Sequence, residues 1–360
     1  MSDGVRVVAA LAAGARSARG DVAAALRLPH EHPDAFPLPG SGSTWRLWTS
    51  LAALGAVDLT VARAVEPHVD ARAILDEARA AGFLQQPDGP TEPHPRGSWG
   101  VFAAEGPGAR LVARSSEPSD GAAASGNDVA GALLDGSKPW CSLAGVLDHA
   151  LVTAWCGDDT RGLYAVPLGA TNGVTVEPGT WVARGLPDVP SGPVTFFASR
   201  ARPVGPPGWY LERPGFAWGG MGVAAVWWGG AIGVARRVRE AARRREPDQV
   251  GLMHLGAVDA SLHAAAAVLR QAADAVDDGS ADGSAGAALA LRVRRVVALA
   301  VEDVLERAAH ALGPGPLALE DEHAGRVADL QLYVRQEHAE RDAAALGRLV
   351  VSTVDDGPLW

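Results

Sequence analysis

The feature that most constrains this chain is a double change of texture along its length. From Trp99 to Phe197 the sequence is cut by Gly, Pro, Asp and Ser into short apolar or alternating runs, whereas the segments on either side carry apolar residues at helical spacing. Apolar residues at i, i+3, i+4 and i+7 form one stripe on a helix, and alternation over a few residues marks a half-buried strand. The reading is a helical domain over residues 1–95, a β-domain over 96–205, and a helical bundle with a tail over 206–360.

In the front, the spacing predicts helices over Trp45–Leu54 and Leu59–Ala80, separated by Gly55 and preceded by a Pro/Gly/Ser loop at Pro37–Ser43. The proline-rich stretch Gln86–Gly97 reads as a boundary. In the middle, the runs Trp99–Ala104, Arg110–Arg114, Val129–Leu134, His149–Ala154, Gly162–Pro167, Gly173–Val176 and Val194–Phe197 read as strands of an antiparallel barrel or sandwich. Neither a βαβ rhythm nor a GxGxxG turn is present, which argues against a Rossmann site. In the back, Phe216–Arg245 is a long run of small and apolar residues with a basic end, and two further stripes run Leu255 to Val276 and Leu289 to Ala308. Asp277–Gly286 reads as a loop, Gly313-Pro314-Gly315-Pro316 as a sharp helix stop, Glu322–Val350 as a last helix, and residues 352–360 as a loose tail. Four long helical segments with short joints suggest a four-helix bundle.

The formal net charge of −10 disfavours a general nucleic-acid binder, which needs a basic surface to displace counterions. Hydrophobic residues at 48% and charged residues at 21% suit a globular protein. Two cysteines, Cys141 and Cys156, are too few for a disulfide framework or a zinc cluster, so a reducing cytoplasm is expected. The apolar stretch Val5–Ala13 is short and interrupted by Arg6, unlike a signal peptide, and no run approaches the roughly 20 apolar residues of a membrane span. No HExxH or CxxC occurs, His254 and His263 are poorly spaced for a shared metal, and no metal is expected.

The most informative stretch is Leu134-Asp135-Gly136-Ser137-Lys138-Pro139-Trp140-Cys141-Ser142. Read as a Gly-turn leading into a strand, it puts Trp140 and Ser142 on one face and Cys141 on the other, as a packing residue. An aromatic plane beside a hydroxyl suits a flat heteroaromatic ring with polar edges; the same residues also make a plain hairpin with one core Trp.

The stretch resembles the middle-domain signature of the acyl-CoA dehydrogenase family, a Gly-x-Lys-x-Trp-x-Ser/Thr run, and the order of helical, β and bundle zones is similar to that family's. The resemblance implies an acyl-CoA dehydrogenase-like α+β fold that holds FAD, with Trp140 and Ser142 touching the flavin. Phe102-Ala103-Ala104-Glu105-Gly106-Pro107 resembles the family's Thr-Glu-Pro segment, so Ala104 and Glu105 are expected along the flavin. Val194–Pro203 resembles the strand before the bundle, Arg213-Pro214-Gly215-Phe216 the opening of its first helix, and Ala311–Gly315 a Gly-rich turn. By the same resemblance Arg245 meets a pyrophosphate, His254 stands roughly where a cofactor-contacting Gln would, and Glu337, eight residues after Asp329, is the catalytic base. The chain departs from the pattern after Pro107, where Gly108-Ala109-Arg110 runs straight into a strand in place of Ala-Gly-Ser-Asp, and around Gln336-Glu337-His338, which replaces Tyr-Glu-Gly. The implied reaction is α,β-desaturation of an acyl thioester carried on CoA or an acyl carrier protein, in a homodimer or homotetramer. Two alternatives keep the fold: a flavin-dependent monooxygenase, and a relative that binds without turnover.

Several residues carry a second reading. Leu330, Tyr333 and Glu337 at i, i+3 and i+7 share one helix face, which would bury the carboxylate, raise its pKa and improve it as a base; the alternative is a solvated Glu among Arg335, His338, Glu340, Arg341 and Asp342. The arginine run from Arg236 to Arg245 reads as a solvated helix end near the C-terminal dipole, or as a phosphate contact. His68 is expected to partner a nearby carboxylate. Trp227 and Trp228 read as core or subunit packing, with a substrate cavity as the alternative. Phe216–Arg239 holds no Asp or Glu, so a base on the first bundle helix is excluded.

Overall fold

The computed structural model describes residues 3–84, 97–115 and 131–352. The expected boundary at Gln86–Gly97, the start of the Val129–Leu134 strand and the tail fall largely outside the described residues. The chain forms two compact units, one of residues 1–66, 184–186 and 217–360, the other of residues 67–183 and 187–216.

The first unit is helical. It holds α1 (Asp3–Ser17), α2 (Val22–Glu31), α3 (Thr44–Gly55) and the beginning of α4 (Leu59–Ala80). Asp21 caps α2, its carboxylate accepting the Ala24 N–H at 2.8 Å, which satisfies a donor the helix leaves open.

The second unit carries the rest of α4 and a seven-stranded sheet of β1 (Trp99–Phe102), β2 (Leu111–Ser115), β3 (Ala132–Lys138), β4 (His149–Trp155), β5 (Arg161–Pro167), β6 (Val174–Val176) and β7 (Val194–Pro203). All seven expected strands are present. The sheet is mixed, which corrects the all-antiparallel expectation: β1 and β2 both run parallel to β4, and the other pairs are antiparallel. Parallel neighbours need a long crossover, and the chain between β1 and β4 supplies one by passing through β2 and β3. At the start of the β1–β4 pair, Ser98 donates both its N–H and its hydroxyl to Asp148 at 2.8 Å. The Ser98 backbone N–H holds the Asp148 carboxyl below its usual range. Gly136, at φ 121, sits at the register shift between β3 and β7, and a Cβ there would run into the Arg110 carbonyl. The core of this unit packs Ile74 and Leu75 of α4 against Trp99, Leu151 and Leu163 of the sheet and against Tyr210 of α5 (Trp209–Glu212).

The bundle follows with α6 (Pro214–Arg244), α7 (Gln249–Asp277), α8 (Gly283–Leu312), α9 (Pro314–Leu319), α10 (Asp321–Tyr333) and α11 (Glu340–Ser352). Pro314 stands at the first position of α9, where its missing N–H is no loss, so the Gly-Pro stop ends α8 and starts a short new helix. The single last helix expected over Glu322–Val350 is two: α10 ends at Tyr333, a 3-10 turn covers Val334–Gln336, and α11 begins at Glu340. The break is held chemically. The Arg294 guanidinium donates to the Gln336 carbonyl at 2.7 Å, and the Asp342 carboxylate accepts the His338 N–H at 3.2 Å, reaching back over the start of α11.

In the helical unit α3 and α6 meet backbone to backbone. A Cβ at Gly55 would stand 2.8 Å from the Val226 carbonyl oxygen, and one at Gly229 would collide with the Ala52 carbonyl. Trp48 and Trp227 are fully buried, and Trp227 makes an edge contact with Tyr333 at 6.3 Å between centroids. Trp228 tilts against Trp45 at 6.1 Å and donates its indole N–H to the Leu262 carbonyl at 3.2 Å, so both tryptophans serve packing. Of the described helices, α7 is long and apolar enough to cross a membrane by length and composition, with a mean hydropathy of 1.4 over its best window, of which 22% is buried. That departs from the expectation that no run approaches a span; the many alanines of α7 raise the hydropathy without a continuous bulky apolar run. Val258, Ala265, Leu269, Ala272, Ala273 and Val276 form its buried stripe.

The α3–α6 contact predicts that Gly229→Ala forces the two helices apart and costs about 1–3 kcal/mol, the usual penalty of overpacking. Urea denaturation of the variant against the wild type checks this through a lower midpoint at unchanged slope.

Candidate functional site

The expected flavin residues of the sheet unit fall in one neighbourhood. Lys138, the last residue of β3, is 1% exposed, and its ammonium donates to Glu105 at 2.5 Å and to the Thr153 hydroxyl at 2.9 Å. Burial lowers the Lys138 pKa, and the Glu105 carboxylate beside it acts in the opposite direction. Arg161 reaches the same Glu105 oxygen at 3.2 Å. A Cβ at Gly106 would touch Pro139 at 3.2 Å, so the loop carrying Ala104 and Glu105 lies against the residue before Trp140. Glu105 is thus the counter-ion of a buried lysine. Next to it, the guanidinium groups of Arg110 and Arg161 lie 4.7 and 5.5 Å from the centre of the Trp155 ring.

Trp140 and Ser142 do not share a strand face as the alternation suggested. Pro139 has no N–H for the ladder, so β3 ends at Lys138 and a turn takes over. Trp140 adopts a left-handed φ of 58° and leaves its indole 58% exposed; Leu143 does the same with its backbone, at φ 61°. Two non-glycine residues in that region cost roughly 1–3 kcal/mol each and persist only where the surroundings enforce them. The enforcing partner is the segment Val189–Gly192. Cys141 donates its N–H to the Gly192 carbonyl at 3.0 Å, and Leu143 donates to the Pro190 carbonyl at 2.8 Å. Between these bonds the Ser142 and Ser191 hydroxyls meet at 2.7 Å, and Ser191 donates to the Val189 carbonyl at 3.0 Å. Cys141 is buried, its thiol donating to the Lys138 carbonyl at 3.3 Å and its pKa pushed up to about 12 by burial.

A rigid turn therefore presents a bare indole and holds a hydroxyl in a fixed place. An aromatic surface and a hydrogen-bonding hydroxyl are the donor set that an isoalloxazine ring needs, so these residues fit a flavin.

Arg245 and Glu337 belong to the helical unit. Arg245 is exposed just past the end of α6. The run before it is largely paired: Arg237 grips Glu320 through two bonds of 2.7 and 2.6 Å, Arg236 donates to the Ala56 carbonyl at 3.3 Å, and Arg244 meets Glu240 at 2.5 Å. Glu337 is 6% exposed, in extended backbone after the 3-10 turn, not on a helix with Leu330 and Tyr333. One carboxylate oxygen accepts the Ala339 N–H at 3.0 Å and lies 3.5 Å from Arg295; the other has no hydrogen-bond partner. Asp329 accepts the Leu186 N–H at 2.5 Å. His254 lies edge-on to His310, 5.8 Å between centroids.

Sequence reasoning missed Ser191 and the role of Lys138. Nothing in Pro190-Ser191-Gly192 marks a partner for a residue 49 positions earlier. His68 also differs from expectation. Its Nδ1 accepts the Trp99 N–H at 3.2 Å, because the buried strand start needs an acceptor and a neutral imidazole supplies one without a charge. Among the described residues no group of three or more His, Cys, Asp or Glu could hold a metal ion.

No protein-family model matches the sequence, and neither does any curated protein. Solved structures match over nearly the whole chain. The dibenzothiophene-monooxygenase-type protein TdsC from Paenibacillus sp. A11-2, in its complex with FMN and indole, aligns at a TM-score of 0.73 with 17% identity, covering 96% of each chain. KijD3 in complex with FMN and an amino-keto sugar nucleotide aligns at a TM-score of 0.74 with 18% identity, covering 99% of this chain and 96% of that one. A variant of the steroid acyl-CoA dehydrogenase Tcur3481-Tcur3483 aligns at 0.67 with 20% identity, covering 97% and 95%. The chain has the acyl-CoA dehydrogenase fold.

The His68 environment carries a pH prediction. Burial lowers its pKa from 6.5 to about 4 in the folded state. Between those values the unfolded chain binds a proton that the folded one refuses, so stability falls as pH drops from about 7 to about 4, by up to about 3 kcal/mol. His68→Asn keeps an acceptor and removes this proton. Urea unfolding at pH 7 and at pH 4.5 is expected to show a smaller difference in the variant than in the wild type.

Proposed function

We propose that this chain is a flavin-dependent oxidoreductase that uses reduced flavin and dioxygen to oxygenate a small molecule. The observation that carries this reading is the setting of Glu337. Its carboxylate is tied to its own turn through the Ala339 N–H and faces the Arg295 guanidinium, contacts that hold it as part of that turn. A base for a weakly acidic C–H must instead be free to reach the proton it removes. Oxygenation by reduced flavin asks for no such base. The TdsC and KijD3 structures of the same fold hold FMN, which supports a flavin that need not carry an adenosine; FAD, implied by the family resemblance, is the alternative.

In this reading Trp140 offers the aromatic surface, Ser142 hydrogen-bonds the ring edge, and the Lys138–Glu105 pair fixes the loop of Ala104 beside them. Arg245 is left to meet a cofactor phosphate. A bound reduced flavin would supply the activation of oxygen. The residues of the turn orient the ring and hold it against rotation.

A second reading, α,β-desaturation of an acyl thioester with Glu337 as base, is favoured by one fact: the buried Oε1 of Glu337 has no hydrogen-bond partner. The apolar outer face of α7 and α8, with Val250 58%, Leu252 55%, Met253 50% and Leu299 47% exposed, supports a homo-oligomer in which a second copy covers these side chains.

Titration of the purified protein with FMN and with FAD, oxidised and reduced, is expected to show binding; no binding of either would sink both readings. Oxygen uptake with a separate flavin reductase and indole as probe substrate, unchanged within about threefold in Glu337→Gln, supports oxygenation. Anaerobic bleaching of bound flavin by octanoyl-CoA that falls at least 100-fold in Glu337→Gln would replace it with desaturation.

A further inference from the structure

Three arginines gather where α3 ends. Arg236 of α6 donates to the Ala56 carbonyl at 3.3 Å, and Arg19 and Arg326 donate to the Val57 carbonyl at 3.0 and 3.2 Å. The last carbonyls of a helix are open acceptors at the negative end of its dipole, so cations collect there. Gly233 of α6 makes the room: a Cβ on it would stand 2.8 Å from the Arg326 Nε and 3.1 Å from the Ala56 carbonyl oxygen. Capping accounts for these three arginines. It does not account for Arg16, three positions before Arg19, or for Arg239, three positions after Arg236. Both are exposed, and neither side chain has a hydrogen-bond or carboxylate partner among the described residues. Burial and the charges of Arg326, Arg16 and Arg239 hold the Arg236 guanidinium below its usual range, so all four bear on one place.

Against these five guanidinium groups stand two carboxylates. Glu322 is shared between Arg19 at 2.7 Å and Arg326 at 3.0 Å, and Asp58 lies 3.7 Å from Arg19. Arg16, Arg236 and Arg239 are left without a counter-charge, in a chain whose formal net charge is −10. Like charges held together repel until an anion joins them. A guanidinium offers paired N–H donors in a fork that matches the oxygens of a phosphate group. We propose that Arg16, Arg236 and Arg239, where α1, α6 and α10 meet, bind the phosphate groups of a soluble small molecule that carries a diphosphate. Three unpaired cations call for more than one negative charge, which a diphosphate supplies. The surroundings limit the size of the ligand. Glu240, Asp321 and Glu322 are exposed on α6 and α10, so an extended polyanion such as a membrane surface or a nucleic acid is repelled, whereas a compact anion meets the arginines alone. The site belongs to the helical unit, apart from the Trp140 turn of the sheet unit, and does not rest on the flavin reading.

The experiment is isothermal titration calorimetry of the full chain with inorganic pyrophosphate, at an ionic strength of about 50 mM so that surface charges are little screened. The wild type is expected to bind it. The double variant Arg16→Gln/Arg239→Gln, which removes no hydrogen bond within the described residues, is expected to bind at least about tenfold more weakly, the scale of losing charge-assisted hydrogen bonds. Arg239→Lys keeps the charge without the fork and is expected to bind more tightly than Arg239→Gln but more weakly than the wild type. Arg292→Gln removes the same charge from an exposed position on α8 and is expected to leave the affinity within about twofold. Equal weakening by Arg292→Gln would reduce the effect to net charge and overturn the proposal, as would a wild type that takes up no pyrophosphate. Sedimentation of the wild type with phosphatidylserine/phosphatidylcholine vesicles, lost in the double variant, would overturn a soluble ligand. FMN titration of the double variant separates this site from the cofactor's. FMN affinity kept within about twofold supports the proposal, and a loss matching that of pyrophosphate would assign these arginines to the flavin phosphate and overturn a separate site.

Discussion

The helical unit depends on a contact made almost without side chains. At Gly55 and Gly229 the backbones of α3 and α6 approach to a distance that any Cβ would prevent. Everything around that contact is arranged to profit from it. Trp48 and Trp227 are completely buried, Tyr333 closes over Trp227, and the Arg294 guanidinium stacks on the same indole at 4.8 Å while donating to the Gly220 and Gln336 carbonyls. The packing around the close approach therefore reaches outward, through Arg294, to the turn between α10 and Glu337.

In the sheet unit the governing fact is different. A lysine is buried at the end of a strand, and a carboxylate must follow it in. Glu105 pays part of that desolvation, and with it the loop of Ala103–Pro107 is drawn to the end of β3. Immediately beyond, a proline stops the ladder and the chain twists through two left-handed residues, held by the segment around Ser191. The local cost of that twist is what leaves Trp140 standing clear of the protein.

Much of this was legible beforehand. The strands were visible because each is bounded by Gly, Pro or Asp and filled by apolar or alternating residues, and α4 has the bounds its spacing predicts. The order of zones and of weak motifs pointed to the acyl-CoA dehydrogenase fold that the solved structures share. What escaped was decided by partners distant in sequence. The break between α10 and α11 depends on Arg294, 42 residues before Gln336, and the geometry of Trp140 and Ser142 depends on carbonyls at Pro190 and Gly192. Periodicity over Leu330, Tyr333 and Glu337 is compatible with a helix, and all three are indeed buried, but burial came by a turn. The parallel pairing of β1 and β2 with β4 is likewise invisible to a pattern that only says which residues alternate.

Cys141 lies between the two left-handed residues with its side chain turned inward and its thiol on the Lys138 carbonyl. Its reactivity is suppressed twice over, by enclosure and by a proton held up to about pH 12. A thiol reagent can reach it only while the turn is open. The rate of its alkylation is thus a clock for the breathing of the segment that presents Trp140, read at a thiol the native protein already carries.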